Sequence, residues 1–404
     1  MKTTCLVFLP FLLLAGCRAQ HPTSAARGDL VFPGRDISMA WDARGVLHAI
    51  YVEDGAGGAR VVYRRLDRPG REPVAVSPPG VTTNAGGETP PVLQALPDGS
   101  LLAAYTVPLP GQWRNQIVVQ RSTDGGATWG TPQALPNGGD PGSQDQFSAA
   151  AVSGGPLVFA WLESRQGVRG LHAARTPDGS RFEPDLAVDE KTCECCGTAL
   201  LAGRAGEVWL AYRDVSEADT RDIHLAASRD GGASFGPPHP VSDDGWKLEG
   251  CPDRGPRLAQ ARDGSLWAAW FTGTSPGVYA AVSRDGGATF GPRQPVITLG
   301  SDVHNALAPE IGILPDGRIA VLYEVFREPR AHQVEARLKS PAGNGWGAPL
   351  VVEPDAGSPR LARRGKHAVV AFIRQRGEAS EILVRDWKQV FPFTPKIPSP
   401  PARP

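Results

Sequence analysis

The stretch Thr192–Leu200 reads TCECCGTAL, so Cys193, Cys195 and Cys196 fall within four residues. The sequence has six cysteines, and beyond its first twenty residues the only other one is Cys251. Four thiols brought together do one of three things. They pair as disulfides, hold a soft ion such as Cu(I) or Zn(II), or exchange electrons as a redox group. The C-x-C-C spacing departs from the usual zinc patterns, and two bridges among four cysteines allow three connectivities. His224, His239 and His304 are further ligand types in the same half of the chain. Arginine–aspartate pairs accompany the cysteines: Arg213 with Asp214, Arg221 with Asp222, and Asp253 with Arg254. Converging guanidinium groups clamp a carboxylate, sulfate or phosphate bidentately, with the aspartates holding their geometry. Alternatively, each pair ties down its own loop. These six residues are the catalytic candidates. Arg35, Asp36, Glu88, Trp113, Trp246 and His304 are the ligand-binding candidates.

Such distant residues meet only if the chain is built to gather them. Gly 48 and Pro 39, with two methionines and few helix-period runs, indicate many short strands joined by turns. Three segments are nearly identical: STDGGATW (122–129), SRDGGASF (228–235) and SRDGGATF (283–290). The glycines permit positive φ, and the carboxylates of Asp124, Asp230 and Asp285 accept hydrogen bonds within the turn. These aspartates therefore read as turn staples, with the closing aromatic packed into the seam beside the next unit. A second repeat is independent of the first. Apolar hairpins end at Tyr51, Tyr105, Trp161, Tyr212, Trp270, Tyr323 and Phe372, spaced 54, 56, 51, 58, 53 and 49 residues apart. A period near fifty with four strands each predicts an all-β propeller of four-stranded antiparallel blades, seven in number, with six as the alternative. The seventh unit shows three strands, near 358–363, 367–373 and 380–386, and DLVFP (29–33) supplies its fourth and closes the ring. The inner strands of blades four and five are neighbours, which places Cys251 near Cys193–Cys196 on the mouth side.

The S-x-D-G-G-x-T-W/F segments resemble the Asp-boxes, or BNR repeats, of the sialidase superfamily, over essentially the whole mature chain. The set TCECC, YRD…RDI, DDGW and GCPDRGP further resembles bacterial sialidase-like lipoproteins. The resemblance implies a ligand site on the face carrying the loops between strands B and C and between successive blades. It implies an acidic glycan as ligand, with Trp113 and Trp246 stacking sugar rings. In sialidases three arginines hold the substrate carboxylate, a glutamate-activated tyrosine attacks, and an aspartate serves as acid/base. Here GRDIS (34–38) replaces the family's F/Y-R-I-P opening, so Arg35 is a rough counterpart, and Arg213 and Arg254 are candidates for the other places. Tyr212 and Tyr323 end B strands where every blade has an aromatic, and so read as packing residues. Tyr323 and Glu324 are consecutive and point to opposite strand faces.

The first seventeen residues read as an export signal: Lys2, an apolar run Leu6–Leu14, then LAGC, which resembles the bacterial lipoprotein cleavage box. That resemblance implies acylation of Cys17 and a lipid anchor in the cell envelope. Residues 18–28 read as a tether, 29–387 as the propeller, and 388–404, rich in proline, as an extended tail. Lys+Arg and Asp+Glu are both 42, so nothing points to a nucleic-acid partner. The expectation is a monomeric, exported propeller that binds an acidic glycan. The sequence leaves open whether it also cleaves it; if it does, the class is an exo-sialidase-like glycoside hydrolase or a related glycan-active enzyme. The alternative is a non-catalytic binding or assembly propeller with a structural disulfide or soft-metal cysteine cluster.

Overall fold

The computed structural model describes residues 29–391, apart from 88, 112–113, 137–142, 249–254, 301–302, 328–330, 342 and 344, and apart from the side chains of 303–308 and 331. Seven four-stranded antiparallel sheets form seven blades. Their inner strands are Arg35–Trp41, Val92–Ala95, Gln144–Ala151, Ala199–Ala202, Arg257–Gln260, Val303–Ile313 and Ala356–Arg364. Each inner strand touches the next, and Ala356–Arg364 returns to Arg35–Trp41, so the ring is closed. Seven blades is therefore the count. Leu30–Pro33 pairs with Ala379–Asp386 as the outermost strand of the seventh blade. Phe32 secures this closure by packing on Tyr51 of blade one, ring centroids 5.0 Å apart.

The second strand of each blade is covered on both faces by its neighbours, so it reads as a continuous apolar run rather than an alternating one. Val208–Arg213 is buried at every position. The turns leading into these strands are fixed by an aspartate that accepts from the backbone two residues on, as Asp98 does from Ser100 and Asp263 from Ser265.

The three Asp-boxes lie between the third and fourth strands, away from the mouth. In the first, Asp124 accepts from the Thr128 hydroxyl at 2.6 Å, the Thr128 amide at 2.9 Å and the Ser122 hydroxyl at 2.8 Å. Asp230 and Asp285 repeat the pattern. These bonds hold all three carboxyls below the ordinary range. The direction of packing corrects one expectation. Trp129 lies edge-on against Tyr63 of the preceding blade, and Tyr63 donates to the Gly125 carbonyl at 2.7 Å. Trp209 likewise donates to Gly286 at 2.8 Å. The boxes thus staple each blade to the one before it. The second box glycine must lack a side chain because the neighbour's ring or branched chain already occupies the space.

The C-terminal boundary also differs from expectation. Trp387–Val390 is a helical turn capped by Asp386, and Trp387 and Phe391 are buried against blades six and seven. Apolar anchoring, invisible to periodicity over five residues, extends the domain to Phe391. The rest of the proline-rich tail lies outside the described residues, as do the export signal, Cys17 and the tether.

Candidate functional site

Inner strands enter the mouth through β-bulges, which aim successive side chains in unusual directions. Register shifts fall between Arg35 and Ser38, Asp145 and Ser148, and Gly357 and Arg360. Asp36, Gln146 and Ser358 there have positive φ of 53°, 51° and 49°. The first bulge is engaged in loop closure. Arg35 is bidentate to Asp54 at 2.9 and 3.1 Å and donates to Asp36 at 2.7 Å, while Asp36 also accepts from the Gly87 amide. Glu88 lies outside the described residues.

A cleft of about 690 Å³ opens on the mouth side between blades three and four. It is bounded by the turn at Gly167–Arg169, the connection Lys191–Cys195 and the loop containing Val215, Asp219 and Arg221. Arg169, Lys191 and Arg221 carry its positive charge, and Glu194 and Asp219 its negative charge. Arg169 is anchored by Asp145 and by the Ser143 carbonyl. Burial pushes the Asp145 carboxyl up, opposed by Arg169.

At the cleft floor, the Cys193 and Cys196 sulfurs are 3.6 Å apart, and both residues are 1 % exposed. Arg221 donates from Nη1 to Cys193 Sγ at 3.7 Å. The hydrogen bond to Cys196 lowers the Cys193 thiol to about 6, helped by a Cys195 backbone contact and the charges of Arg213 and Arg221, against the opposing effect of burial. All three sulfurs of the trio lie within 4.8 Å of one another. Cys193 and Cys196 are not disulfide-bonded, however, whereas Cys195 is. Among the described residues, two thiols beside guanidinium groups fall short of the four ligands of structural zinc, so this described donor set does not by itself fit that ion. Cys251 lies outside the described residues. Four residues after it, Gly255 is in backbone contact with Gly197, so the entries of the two inner strands do abut.

Arg213 and Trp246 are placed differently from the sequence reading. Arg213 is 1 % exposed, donates to the Arg221 and Phe271 carbonyls at 2.6 and 2.8 Å, and lies 4.9 Å over the Trp246 ring. Trp246 also packs edge-on against Phe271 and is 8 % exposed. Their mutual packing makes them a buttress under the cleft, with the indole face turned to Arg213 rather than to a sugar. Asp222 accepts from the Gly245 and Trp246 amides at 3.0 and 3.3 Å, tying the same buttress to its loop. Asp214 lies 3.5 Å from His224, and burial raises its carboxyl. Trp113, Asp253 and Arg254 lie outside the described residues, and His304 is placed only by its backbone in Val303–Ile313.

All six tyrosines of the sequence are buried: Tyr51, Tyr63, Tyr105, Tyr212, Tyr279 and Tyr323 range from 0 to 5 % exposure. Tyr212 donates across the blade boundary to Asp189 of blade three, and Tyr323 donates to Glu335 within blade six. The packing role expected of Tyr212 and Tyr323 matches this placement, and no tyrosine hydroxyl is presented to the mouth.

The central channel, about 360 Å³, exposes residues that the sequence reading passed over. Arg257, Glu310 and Arg360 line it, with Arg257 Nε 3.5 Å from Glu310. A signal for them existed. Pro256, Pro309 and Pro359 each precede one of these residues at the same point of the inner strand, where the missing amide suits an unpaired inner edge. Arg169 and Lys191 had no comparable signal.

Comparison with known proteins places this geometry among related folds. The pattern of the BNR repeat-like domain matches residues 61–269. No curated protein matches the sequence. Among solved structures, a protein of unknown function from Dyadobacter fermentans is 17% identical, with a TM-score of 0.52, covering 88% of this chain and 97% of that one. The Penicillium chrysogenum alpha-L-arabinanase complexed with arabinobiose is 15% identical, with a TM-score of 0.51, covering 75% and 94%. The BP39L lectin of Burkholderia pseudomallei is 12% identical, with a TM-score of 0.60, covering 87% and 96%. At these identities the likeness is one of fold.

Proposed function

Because the chain belongs to the BNR repeat-like domain family, we propose that it is an exported, lipid-anchored propeller that binds an acidic glycan in the cleft between blades three and four. The observation that carries this reading is the cleft itself. Its volume suits an oligosaccharide segment, and Arg169, Lys191 and Arg221 surround it. Cations at a mouth walled by protein attract an anionic ligand and fix its carboxylate or sulfate. The arabinobiose complex and the lectin among the similar folds support a saccharide as ligand class. The LAGC segment supports acylation at Cys17 and a place in the bacterial cell envelope. The proximity of Gly197 and Gly255 supports a structural Cys195–Cys251 disulfide holding the cleft's floor. Binding is favoured over cleavage because the tyrosines that would attack an anomeric carbon are all in the core.

The test is equilibrium binding of sialylated, uronate-containing and neutral oligosaccharides to the mature chain. Acidic ligands bind, and affinity falls with added salt. Lys191→Ala with Arg221→Gln weakens them by about tenfold, the scale of one to two lost charge-assisted contacts. Equal affinity for neutral and acidic glycans, or none for either, overturns the assignment. Hydrolysis of a chromogenic sialoside by the purified protein overturns the preference for binding alone.

A further inference from the structure

We propose that Cys193 and Cys196 form a reversible dithiol–disulfide pair, oxidised by a small peroxide that reaches Cys193 from the cleft and reset by a dithiol reductant. This proposal does not depend on glycan binding. It rests on the arrangement of the two sulfurs. Neither is disulfide-bonded, and they are separated by two residues and by 3.6 Å. A disulfide requires about 2.05 Å between sulfurs, so closure needs a shift of about 1.5 Å. The segment that must move, 190–197, is a turn without strand or helix, pinned at Thr192 by a bridge to Asp214. Glu194, between the thiols, is exposed at the cleft.

The surroundings favour a nucleophilic sulfur over a buried hydrophobic one. Arg221 donates to Cys193 Sγ, and Arg213, held rigidly by two carbonyls and Trp246, adds its charge. The thiolate is the reactive form, and cations beside it raise its population. Cys193 lines the cleft but is 1 % exposed, which favours attack by a reagent of peroxide size.

The Cys193 thiolate attacks one peroxide oxygen. The S–O bond forms, the O–O bond breaks, and the departing hydroxide takes a proton to leave as water. Cys196, giving up its proton, then attacks Cys193 Sγ. The S–S bond forms, the S–O bond breaks, and a second water leaves. The two sulfurs together lose two electrons, and the peroxide gains them. A dithiol reverses the change by attacking the bridge, passing through a mixed disulfide and closing its own ring.

The experiment titrates the folded mature chain with hydrogen peroxide, then unfolds each sample in denaturant to expose both sulfurs and counts maleimide-reactive thiols by intact mass. The expected result is two adducts before oxidation and none after, a mass loss of about 2 Da for the two hydrogens, and recovery of both adducts with a limiting dithiol. Cys196→Ser stops at a sulfenic acid on Cys193 that dimedone traps, and Cys193→Ser leaves a thiol reacting at least about tenfold more slowly, as expected without the activated partner. Persistence of both adducts at peroxide levels that oxidise Cys196→Ser overturns the proposal. So does copurification of one copper or zinc ion that shields both thiols until a chelator removes it. If either variant fails to fold, the wild-type mass change alone decides.

Discussion

Arg213 separates a structural from a ligand-contacting role, and Arg213→Met tests which it plays. Methionine keeps much of the volume but removes the charge and its donors. The guanidinium donates to the carbonyls of Arg221 and Phe271 and lies over Trp246, all at 1 % exposure. Losing the donors leaves two buried carbonyls short of partners, at about 1–3 kcal/mol each. Losing the ring contact adds about 1 kcal/mol. Relief from keeping a charge out of water offsets about 1–4 kcal/mol of this. The net loss is about 2–3 kcal/mol. A domain of about 360 residues unfolds with an entropy near 0.8 kcal/mol/K, so the midpoint drops by ~3–4 °C. Differential scanning calorimetry reads the shift, and the oligosaccharide titration on the same sample reads the ligand. The reasoning expects lower stability with affinity changed by less than about threefold, since the buttress supports the cleft without lining it. An unchanged midpoint with affinity lost by tenfold or more would refute it and put Arg213 in contact with the ligand.

Three further outcomes follow from the packing. Gly126→Ala forces a Cβ onto the Tyr63 ring at a φ of +91°, and is expected to cost about 2–4 kcal/mol, read by urea unfolding; Gly125→Ala, with nothing near its Cβ, costs only its backbone strain of about 1 kcal/mol. The Thr128 hydroxyl and amide and the Ser122 hydroxyl hold the Asp124 carboxyl at about 2, below its ordinary 3.8. Its stabilisation is therefore complete above about pH 4 and lost as pH falls through about 2, and Asp124→Asn flattens stability across that window in an acid titration followed by tryptophan fluorescence. Phe32→Ala, which removes the ring from Tyr51 and Arg64, costs about 3–4 kcal/mol in urea unfolding, and a loss below about 1 kcal/mol would show that the closing strand holds without it.

The sequence by itself determined the ring. Hairpins ending in an aromatic recur near every fifty residues because each blade's second strand is sandwiched between neighbours, and that burial leaves a local apolar imprint. The Asp-boxes were equally legible, since all their hydrogen bonds run between residues within a few positions of one another. The closing strand at 29–33 could be named because an incomplete last blade requires a partner. Which residues face the mouth was decided by the tertiary structure. Arg213 and Arg221 look alike in sequence, yet one ends a fully buried strand and the other lies on the loop at the cleft. Trp246 reads as a free platform until Arg213 is seen beneath it. Arg169 and Lys191 gain their place only when blades three and four are set side by side. The closeness of Cys193 to Arg221, and the packing of each Asp-box on the blade before it, likewise depend on contacts between segments far apart in the chain. Strand periodicity records whether a residue is inside or outside, whereas a site depends on direction and on neighbours that only closure of the ring supplies.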